Sequence, residues 1–433
     1  MTNRILFQPH EYRELSREEQ DLLAEGYQRA INCIYRNITP KGFSACSLAD
    51  NAIYGTDINY RSVWARDGCM TVVWTLDLVE ESVRACQAAT LRTLIAHQSR
   101  NGQIPGNVRI ESNEPDYSGV GGIASIDSGL WFIIAMWRFA NESGDWSIVD
   151  EHRAELQRAM DWLSAHDSNN CGLLEIPEAG DWTDLLAHSY HVLYDEVLWY
   201  RCLVCYSEIL RHFGAEAKSA EYRELSIQVR SMVNANFWPS TEGEIKTAHR
   251  FTSTQASLGD ARYLIAQLSP FEFSWRCDVC ANLLAFLMYD LVTPRQAMMT
   301  FRFLWGVGAN EPGPVRNVYP PISAGDPDWR DYFTVNLLNL PNHYHNGGVW
   351  PFIGGLWVRF IHKLGMKELA RREMVKLTRL CQQGVEHEWE FNEWHHGVTG
   401  RPMGKAYQAW SAASYIQAAH DLHLEATSED HHE

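Results

Sequence analysis

Two segments of the chain place carboxylates beside tryptophan in a way that suits proton transfer. The first runs from Glu178 to Asp184 and holds three carboxylates in seven residues, with Trp182 among them. The second runs from Glu386 to Gly404 and holds Glu393 among aromatic residues. An apolar wall raises the pKa of a carboxyl, so that it can donate a proton near neutral pH. Both segments are therefore candidates for general acid–base chemistry, although acids before a helix also serve as ordinary N-caps.

Two more segments combine groups that bind polar ligands. Arg66 and Asp67 follow Trp64, and such a charged pair can hold hydroxyl groups by charge-assisted hydrogen bonds, or simply form a local ion pair. The segment 343–351 contains a glycine pair that permits close approach of the backbone to a cavity. Its two histidines, His343 and His345, form one His-x-His without an obvious third ligand, so no metal site is predicted.

Composition narrows the classes of partner. The chain has 433 residues, a formal net charge of −17, and 17 Trp, 18 Tyr and 16 Phe. The acidic balance argues against nucleic acid and anionic membranes as partners. No apolar run of about 18 residues predicts a membrane span. The first residues lack the features of a signal peptide, so the expected location is the cytoplasm.

The ten cysteines show no pattern of a secreted disulfide scaffold. Two Cys-x-x-Cys pairs occur, Cys202 with Cys205 and Cys277 with Cys280. A zinc site is one interpretation of such pairs. Their apolar, helical surroundings favour the other interpretation, which is buried core cysteine.

Helical periodicity dominates the chain and predicts an all-α fold. Ser16 and Glu19 predict a capping box at the first helix. Long loops rich in Gly, Pro, Asn, Asp and Trp recur every one or two helices, as in a toroid of helical hairpins with long loops on one rim. No linker divides the chain, so we expect one domain over 1–433 with a disordered tail at about 425–433. Helices are predicted at about 17–37, 68–80, 82–99, 127–141, 147–165, 190–213, 217–236, 255–268, 277–291, 294–305, 347–364, 366–383 and 405–423.

Six motifs follow one another along the chain, namely Asn59-Tyr60 with Arg66-Asp67, Gly102-Gln-Ile-Pro105, Ile126-Asp-Ser-Gly-Leu-Trp131, the 174–200 region, Tyr344-His-Asn-Gly-Gly-Val-Trp-Pro351, and Glu393 to Lys405 with Tyr407-Gln408-Ala-Trp410. This ordered set resembles the alkaline/neutral invertases. More distantly, the chain is similar to the glucosylglycerate and mannosylglycerate hydrolases and to glucoamylase-like glycosidases. The resemblance implies an (α/α)6 barrel and hydrolysis with inversion at the anomeric carbon.

By position, the resemblance implies that Asp184 is the general acid and Glu393 the general base. Glu393 stands twelve residues before Lys405, as in the invertases. The invertase pattern has basic residues directly after the acid, whereas Leu185 and Leu186 follow here. Asp181 is therefore a rival for the acid, and the spacing is closer to that of the glycerate-glycoside hydrolases.

The expected ligand is a small sugar, bound without a cofactor or a metal. The predicted function is inverting hydrolysis of an α-glucosidic bond, as in sucrose, with glucosylglycerate, mannosylglycerate or an α-1,6-glucan as alternative substrates. The assembly state stays open, a homo-oligomer included. The residues expected to line the sugar subsite are Trp64, Arg66, Asp67, Gln103, Trp182, His345, Trp350, Trp394, Gln408 and Trp410.

Two other kinds of protein would share the barrel. A sugar epimerase or isomerase would need paired histidines in the cavity, drawn from His343, His345, His395 and His396. A non-catalytic sugar-binding barrel would place the two acids far apart on its outer surface.

Overall fold

A closed ring of helices forms the centre of the molecule. The computed structural model describes residues 14–240, 260–288 and 291–429. Within these residues, each inner helix packs against the next and the last packs against the first. The inner helices are α2 (Ala65–Trp74), α4 (Asp127–Ser143), α7 (Leu193–His212), α9 (Val279–Leu287), α11 (Pro351–Lys363) and α13 (Ala409–Glu429).

A second layer of helices surrounds this ring. All ten residues of α2 are buried, as expected for a helix that is enclosed on every side. The outer helices bury one face only, and the first of them begins with the predicted capping box between Ser16 and Glu19. These two layers are the predicted (α/α)6 barrel. The outer helices are α1 (Arg17–Arg36), α3 (Glu81–Ala96), α6 (Arg153–Ser164), α8 (Glu216–Phe237), α10 (Pro294–Gly306) and α12 (Lys367–Gln382), and a short α5 (Ser147–Glu151) precedes α6.

Short antiparallel strands lie in the segments between the helices, and several of them lead directly into an inner helix. The strand pairs fix where α2, α7 and α9 begin, because each of these helices follows a strand without a break. The strands are β1 (Ile38–Thr39), β2 (Gly42–Phe43), β3 (Ser62–Trp64), β4 (Asn107–Arg109), β5 (Pro115–Asp116), β6 (His191–Val192), β7 (Gln267–Leu268), β8 (Phe273–Ser274), β9 (Cys277–Asp278), β10 (Val318–Tyr319), β11 (Trp394–His395) and β12 (Pro402–Met403). Three 3₁₀ segments, Gly55–Tyr60, Val120–Gly122 and Asp331–Leu337, lie in the long loops.

One predicted helix is wrong and another is divided. The described part of the predicted helix 255–268 is not helical, because β7 hydrogen-bonds to β6 on one side and to β8 on the other. Residues 255–259 lie outside the described residues. The predicted helix 147–165 is split at His152 into α5 and α6. The predicted helix 347–364 begins only at Pro351, whose ring suits the first turn of a helix.

Among the described residues, one large hydrophobic cluster has members from Leu15 to Leu422, and a small second cluster contains Leu186, Ala187, Val318, Ile322 and Phe333. The single domain stays a proposal. The last helix, α13, continues to Glu429 and so includes residues 425–429 of the predicted tail. Residues 430–433 lie outside the described residues. Among the described helices, none has both the length and the apolar composition that a membrane span requires.

Candidate active site

A cavity opens where inner helices begin. Trp64 and Trp350 are the N-cap residues of α2 and α11, and Trp410 is the second residue of α13. The space between the lining residues, mouth included, is about 480 Å³. Both predicted catalytic carboxyls lie on its wall. The lining residues are Ala45, Asn59, Tyr60, Trp64, Arg66, Asp67, Trp182, Asp184, Tyr344, His345, Trp350, Glu393 and Trp410.

Glu393 is held by two hydrogen-bond donors. The Tyr60 hydroxyl donates to Oε1 at 2.9 Å, and the Lys405 backbone N–H donates to Oε2 at 3.2 Å. Burial raises the pKa of Glu393 to about 7, while these donors act in the opposite direction because they stabilise the carboxylate. Glu393 is thus a fixed carboxylate that can accept a proton at neutral pH.

Gly404 leaves room for this carboxylate. It has φ +75°, and an added Cβ would lie 2.5 Å from Glu393 Oε2. We expect Gly404→Ala to displace the carboxylate and to lower kcat by at least about tenfold, since small displacements of catalytic groups are costly. Gly400→Ala is the matched control, because φ is +70° but the nearest atom to its Cβ would be 3.6 Å away, in Pro312. Steady-state kinetics and thermal unfolding of both variants check this, and equal turnover of the two would contradict it.

The Asp184 carboxyl lies on the wall of the same cavity, but its hydrogen bonds and neighbouring charges differ from those of Glu393. Its side chain is half-buried and receives no hydrogen bond from the described residues. Burial, together with the nearby carboxylates of Asp127, Asp181 and Asp67, raises the pKa of Asp184 to about 7 against the lowering effect of Arg66. Asp184 therefore keeps a proton at neutral pH more readily than an ordinary aspartate does.

Asp181, the rival acid, does not lie on the cavity wall. Its carboxylate accepts hydrogen bonds from the Thr183 backbone N–H at 2.7 Å and from the Thr183 hydroxyl at 2.5 Å, and it lies 3.2 Å from His188 Nδ1. Burial opposes its ionisation, but these bonds and the charge of His188 keep the pKa of Asp181 below its ordinary value. An ionised carboxylate has no proton to donate.

A buried ion pair with Asp127 holds Arg66 in place on the cavity wall. Arg66 Nε and Nη2 donate to the two carboxylate oxygens of Asp127 at 2.5 and 3.0 Å. The Tyr194 hydroxyl also donates to Asp127, at 3.3 Å. This bidentate geometry leaves the guanidinium of Arg66 little freedom to rotate. Next to it, burial raises the pKa of Asp67 to about 6.

Several buried polar atoms on the wall have no hydrogen-bond partner within the described part of the chain. Trp182 Nε1 and Trp410 Nε1 are donors, Asn59 Oδ1 is an acceptor, and both ring nitrogens of His345 are unpaired. The His345 ring stacks on Trp350 with a centroid distance of 4.8 Å and an interplanar angle of 9°. Each unpaired buried group costs about 1–3 kcal/mol. A ligand that carries many hydroxyl groups would supply both donors and acceptors to them.

The family of the chain follows from comparison with known proteins. A family model described as bacterial alpha-L-rhamnosidase 6 hairpin glycosidase domain matches residues 34–267, more than half of the chain. The chain belongs to the six-hairpin glycosidases. A second model, alkaline and neutral invertase, matches residues 258–424 and confirms the resemblance to the invertases.

Individual relatives of this six-hairpin glycosidase are distant. Cytosolic invertase 1 of Oryza sativa subsp. japonica is 25% identical over 75% of this chain and 61% of its own, so the chain spans about three fifths of that relative. A mannosylglycerate hydrolase from Thermus thermophilus in complex with glucose has a TM-score of 0.63 at 13% identity, over 90% of this chain and 99% of its own. A rhamnosidase from Klebsiella oxytoca with rhamnose bound has a TM-score of 0.60 at 13% identity, over 92% and 64%. At this identity, the two structures confirm the (α/α)6 fold.

The structure brings most of the predicted site residues to the cavity of this glycosidase fold, but not all. The Gln103 side chain donates to the Tyr117 carbonyl at 2.8 Å instead, and Trp394 packs against the rings of His343 and Tyr344. Gln408 is buried beside the cavity with both amide atoms unpaired, yet it is not on the wall. The predicted residues that do lie on the wall are Trp64, Arg66, Asp67, Trp182, Asp184, His345, Trp350, Glu393 and Trp410.

Four wall residues were not predicted, namely Ala45, Asn59, Tyr60 and Tyr344. The last three lie inside motifs that the sequence had already singled out, whereas Ala45 lies outside them. Asn59 and Tyr60 open the segment that ends in Arg66-Asp67, and Tyr344 directly precedes His345. Position within these motifs was therefore the available signal.

The histidines do not form a pair in the cavity. Of the four that an epimerase would draw on, only His345 lies among the described lining residues, and burial lowers its pKa well below the ordinary value. His395 Nδ1 instead lies 3.2 Å from the Gly400 carbonyl oxygen. All ten cysteines are buried and free. The described residues contain no group of three or more His, Cys, Asp or Glu side chains arranged to hold a metal.

Proposed function

We propose that the chain is an inverting glycoside hydrolase that cleaves the α-glucosidic bond of a small sugar such as sucrose. The observation that carries the proposal is the pair of unlike carboxyls on one cavity wall. Glu393 accepts two hydrogen bonds that favour its ionised form, whereas Asp184 accepts none from the described residues and neighbouring carboxylates favour its protonated form. General acid and general base chemistry needs such a pair.

In this mechanism, the Asp184 carboxyl donates its proton to the glycosidic oxygen as the bond to the anomeric carbon breaks. The Glu393 carboxylate takes a proton from a water molecule that attacks from the opposite face of the ring. Tyr60 and the Lys405 N–H hold the Glu393 carboxylate in place for this step. Arg66, Asp67, His345 and the tryptophans of the wall would bind the sugar ring itself.

A panel of glycosides tests the function directly. Sucrose, glucosylglycerate, mannosylglycerate and an α-1,6-linked glucoside are incubated with the protein, and release of the free sugars is measured. We expect hydrolysis of sucrose at the highest kcat/KM. Failure to cleave any member would contradict the proposal, and isomerisation of a reducing sugar without hydrolysis would favour an epimerase instead.

The pH dependence of kcat/KM should be a narrow bell centred near pH 7. Activity needs Asp184 protonated and Glu393 ionised, and the pKa of each is about 7. Raising the pH removes the proton from Asp184, and lowering it protonates Glu393, so activity falls on both sides. Initial rates measured between about pH 5 and pH 9 check this, and a flat profile would contradict it.

Tyr60→Phe provides a matched test of the acidic limb. The variant removes a donor that lowers the pKa of Glu393, so that pKa should rise. The acidic limb of the bell should then move to higher pH while the alkaline limb stays in place. Movement of the alkaline limb alone would contradict the assignment of Glu393 as the base.

We also propose that the protein acts in the cytoplasm. The name of the rice relative places that relative in the cytosol, and the ten buried, free cysteines suit a reducing compartment. Other invertase relatives are named mitochondrial or chloroplastic. Fractionation of the source cells, followed by immunodetection, would test the location.

A further inference from the structure

Asp184 lies in the loop 179–188, whose own backbone groups are joined by hydrogen bonds. The Ala179 N–H donates to the His188 carbonyl at 2.9 Å, and the Leu186 N–H donates to the Thr183 carbonyl at 2.8 Å. Leu185, directly after Asp184, has φ +57°, a conformation that a bulky residue adopts only when its surroundings impose it. Something inside the loop must therefore hold it in this shape.

Asp181 and His188 meet inside this loop. Their side chains are 0% and 1% exposed, and Asp181 Oδ2 lies 3.2 Å from His188 Nδ1. The other oxygen of Asp181 accepts both the N–H and the hydroxyl of Thr183, the residue before Asp184. The pair thus joins the two ends of the loop and also fixes the turn at its tip.

The loop is anchored to the inner helices on the side of the cavity. The Ile126 N–H, just before α4, donates to the Gly180 carbonyl at 3.2 Å, and Arg66 Nη2 donates to the Asp181 carbonyl at 3.4 Å. On the opposite side, the Asn339 amide donates to the Asp184 carbonyl at 2.8 Å. The conformation of the tip therefore depends on the contacts inside the loop together with the hydrogen bond from Asn339.

We propose that the Asp181–His188 ion pair positions Asp184, the proton donor of the proposed function on which this rests, by cross-linking the loop that carries it. Asp181 is then a positioning residue and not the acid. Asp181 is not a lining residue of the cavity, and its carboxylate acts through Thr183 and His188.

The pair also acts on Asp184 through its charge. An anionic Asp181 disfavours ionisation of the neighbouring Asp184, so it helps Asp184 to retain its proton. Other groups face the two carboxyls and stay unchanged when Asp181 is replaced. Those facing Asp184 are Arg66, Asp67, Asp127 and Tyr344, and those facing the pair are Asp195, Asp278, Cys280, Asp328, Tyr332 and His345.

Two substitutions at Asp181 separate its geometric role from its charge. Asp181→Ala removes every contact of the carboxylate, and kcat should fall by about 100-fold, as for a misplaced catalytic group. Asp181→Asn keeps an acceptor for the Thr183 N–H, so most of this loss should be recovered. Because Asp181 is one of the carboxylates that raise the pKa of Asp184, the alkaline limb of kcat/KM should move to lower pH in Asp181→Asn.

Thr183→Val is the matched control. It removes the hydroxyl that donates to Asp181 but leaves both charges in place. Turnover should decrease moderately, and the alkaline limb should not move. Circular dichroism and thermal unfolding show whether each variant folds, and if Asp181→Ala does not fold, Asp181→Asn and Thr183→Val alone carry the test.

The outcomes distinguish this proposal from the proposed function. Asp181→Ala with the turnover of the wild type would overturn the positioning role, and Asp181→Asn with an unchanged pH profile would overturn the effect of its charge, while hydrolysis stands in both cases. If Asp181→Asn loses cleavage of the natural glycoside but keeps cleavage of a glycosyl fluoride, Asp181 is itself the acid and the proposal is wrong. If the wild-type protein hydrolyses no glycoside, the proposed function fails and the positioning role fails with it.

Discussion

Replacing Glu393 by glutamine is expected to lower kcat by about 10²–10⁴-fold, the usual contribution of a general base. Glutamine has nearly the same shape, so the substitution removes the proton acceptor and leaves the space filled. Its amide can still accept the hydrogen bond of Tyr60 or Lys405, which hold the carboxylate in the wild type. The loss should therefore appear in turnover and not in thermal stability.

Glu388→Gln is the matched control for this variant. Glu388 lies in the same loop as Glu393 but is exposed and is not a lining residue. Its variant should retain the turnover of the wild type. Steady-state kinetics measure the turnover of both variants, and circular dichroism establishes that they fold. Normal turnover of Glu393→Gln would show that another group activates the water.

Replacing Asp184 by asparagine should abolish hydrolysis only where the leaving group needs a proton. For sucrose or another natural glycoside, kcat should fall by about 10²–10⁴-fold. For the corresponding α-glycosyl fluoride, the rate should stay within about tenfold of the wild type, because fluoride leaves without protonation and the base is intact. Initial rates on the two substrates measure this selectivity.

Glu393→Gln is the natural comparison for Asp184→Asn, because loss of the base should slow cleavage of both substrates. The two assays, on the natural glycoside and on the glycosyl fluoride, thereby distinguish the acid role of Asp184 from the base role of Glu393. Equal loss on both substrates in Asp184→Asn would contradict the assignment of Asp184 as the acid, and so would the absence of any loss.

The helices were largely predictable, because their signals are local. The capping box of Ser16 and Glu19 marks the start of α1, and the structure places it there. The strands are two or three residues long, too short to show an alternating pattern. The segment that ends at Leu268 was assigned to a helix for this reason. Its last two residues instead form β7, which pairs with the distant strand β6 and the neighbouring strand β8.

The site was only partly predictable, because contacts between distant segments decide which side chains face the cavity. Asp181 and Asp184 are both aspartates and stand three residues apart, so residue type does not distinguish their roles. The fold turns one toward His188 and the other toward the cavity. Backbone strain was also invisible, since nothing in their residue types predicts positive φ at Leu185, Tyr344 or Phe391.

Following the anomeric protons of the released sugar by NMR tests the central claim most directly. Attack by water held at Glu393, on the face opposite to the oxygen protonated by Asp184, inverts the anomeric carbon in a single step. An α-glucoside should therefore yield the β-anomer first, with the α-anomer appearing later by mutarotation. Initial release of the α-anomer would contradict the account, because it would require a retaining mechanism in which a carboxylate attacks the sugar.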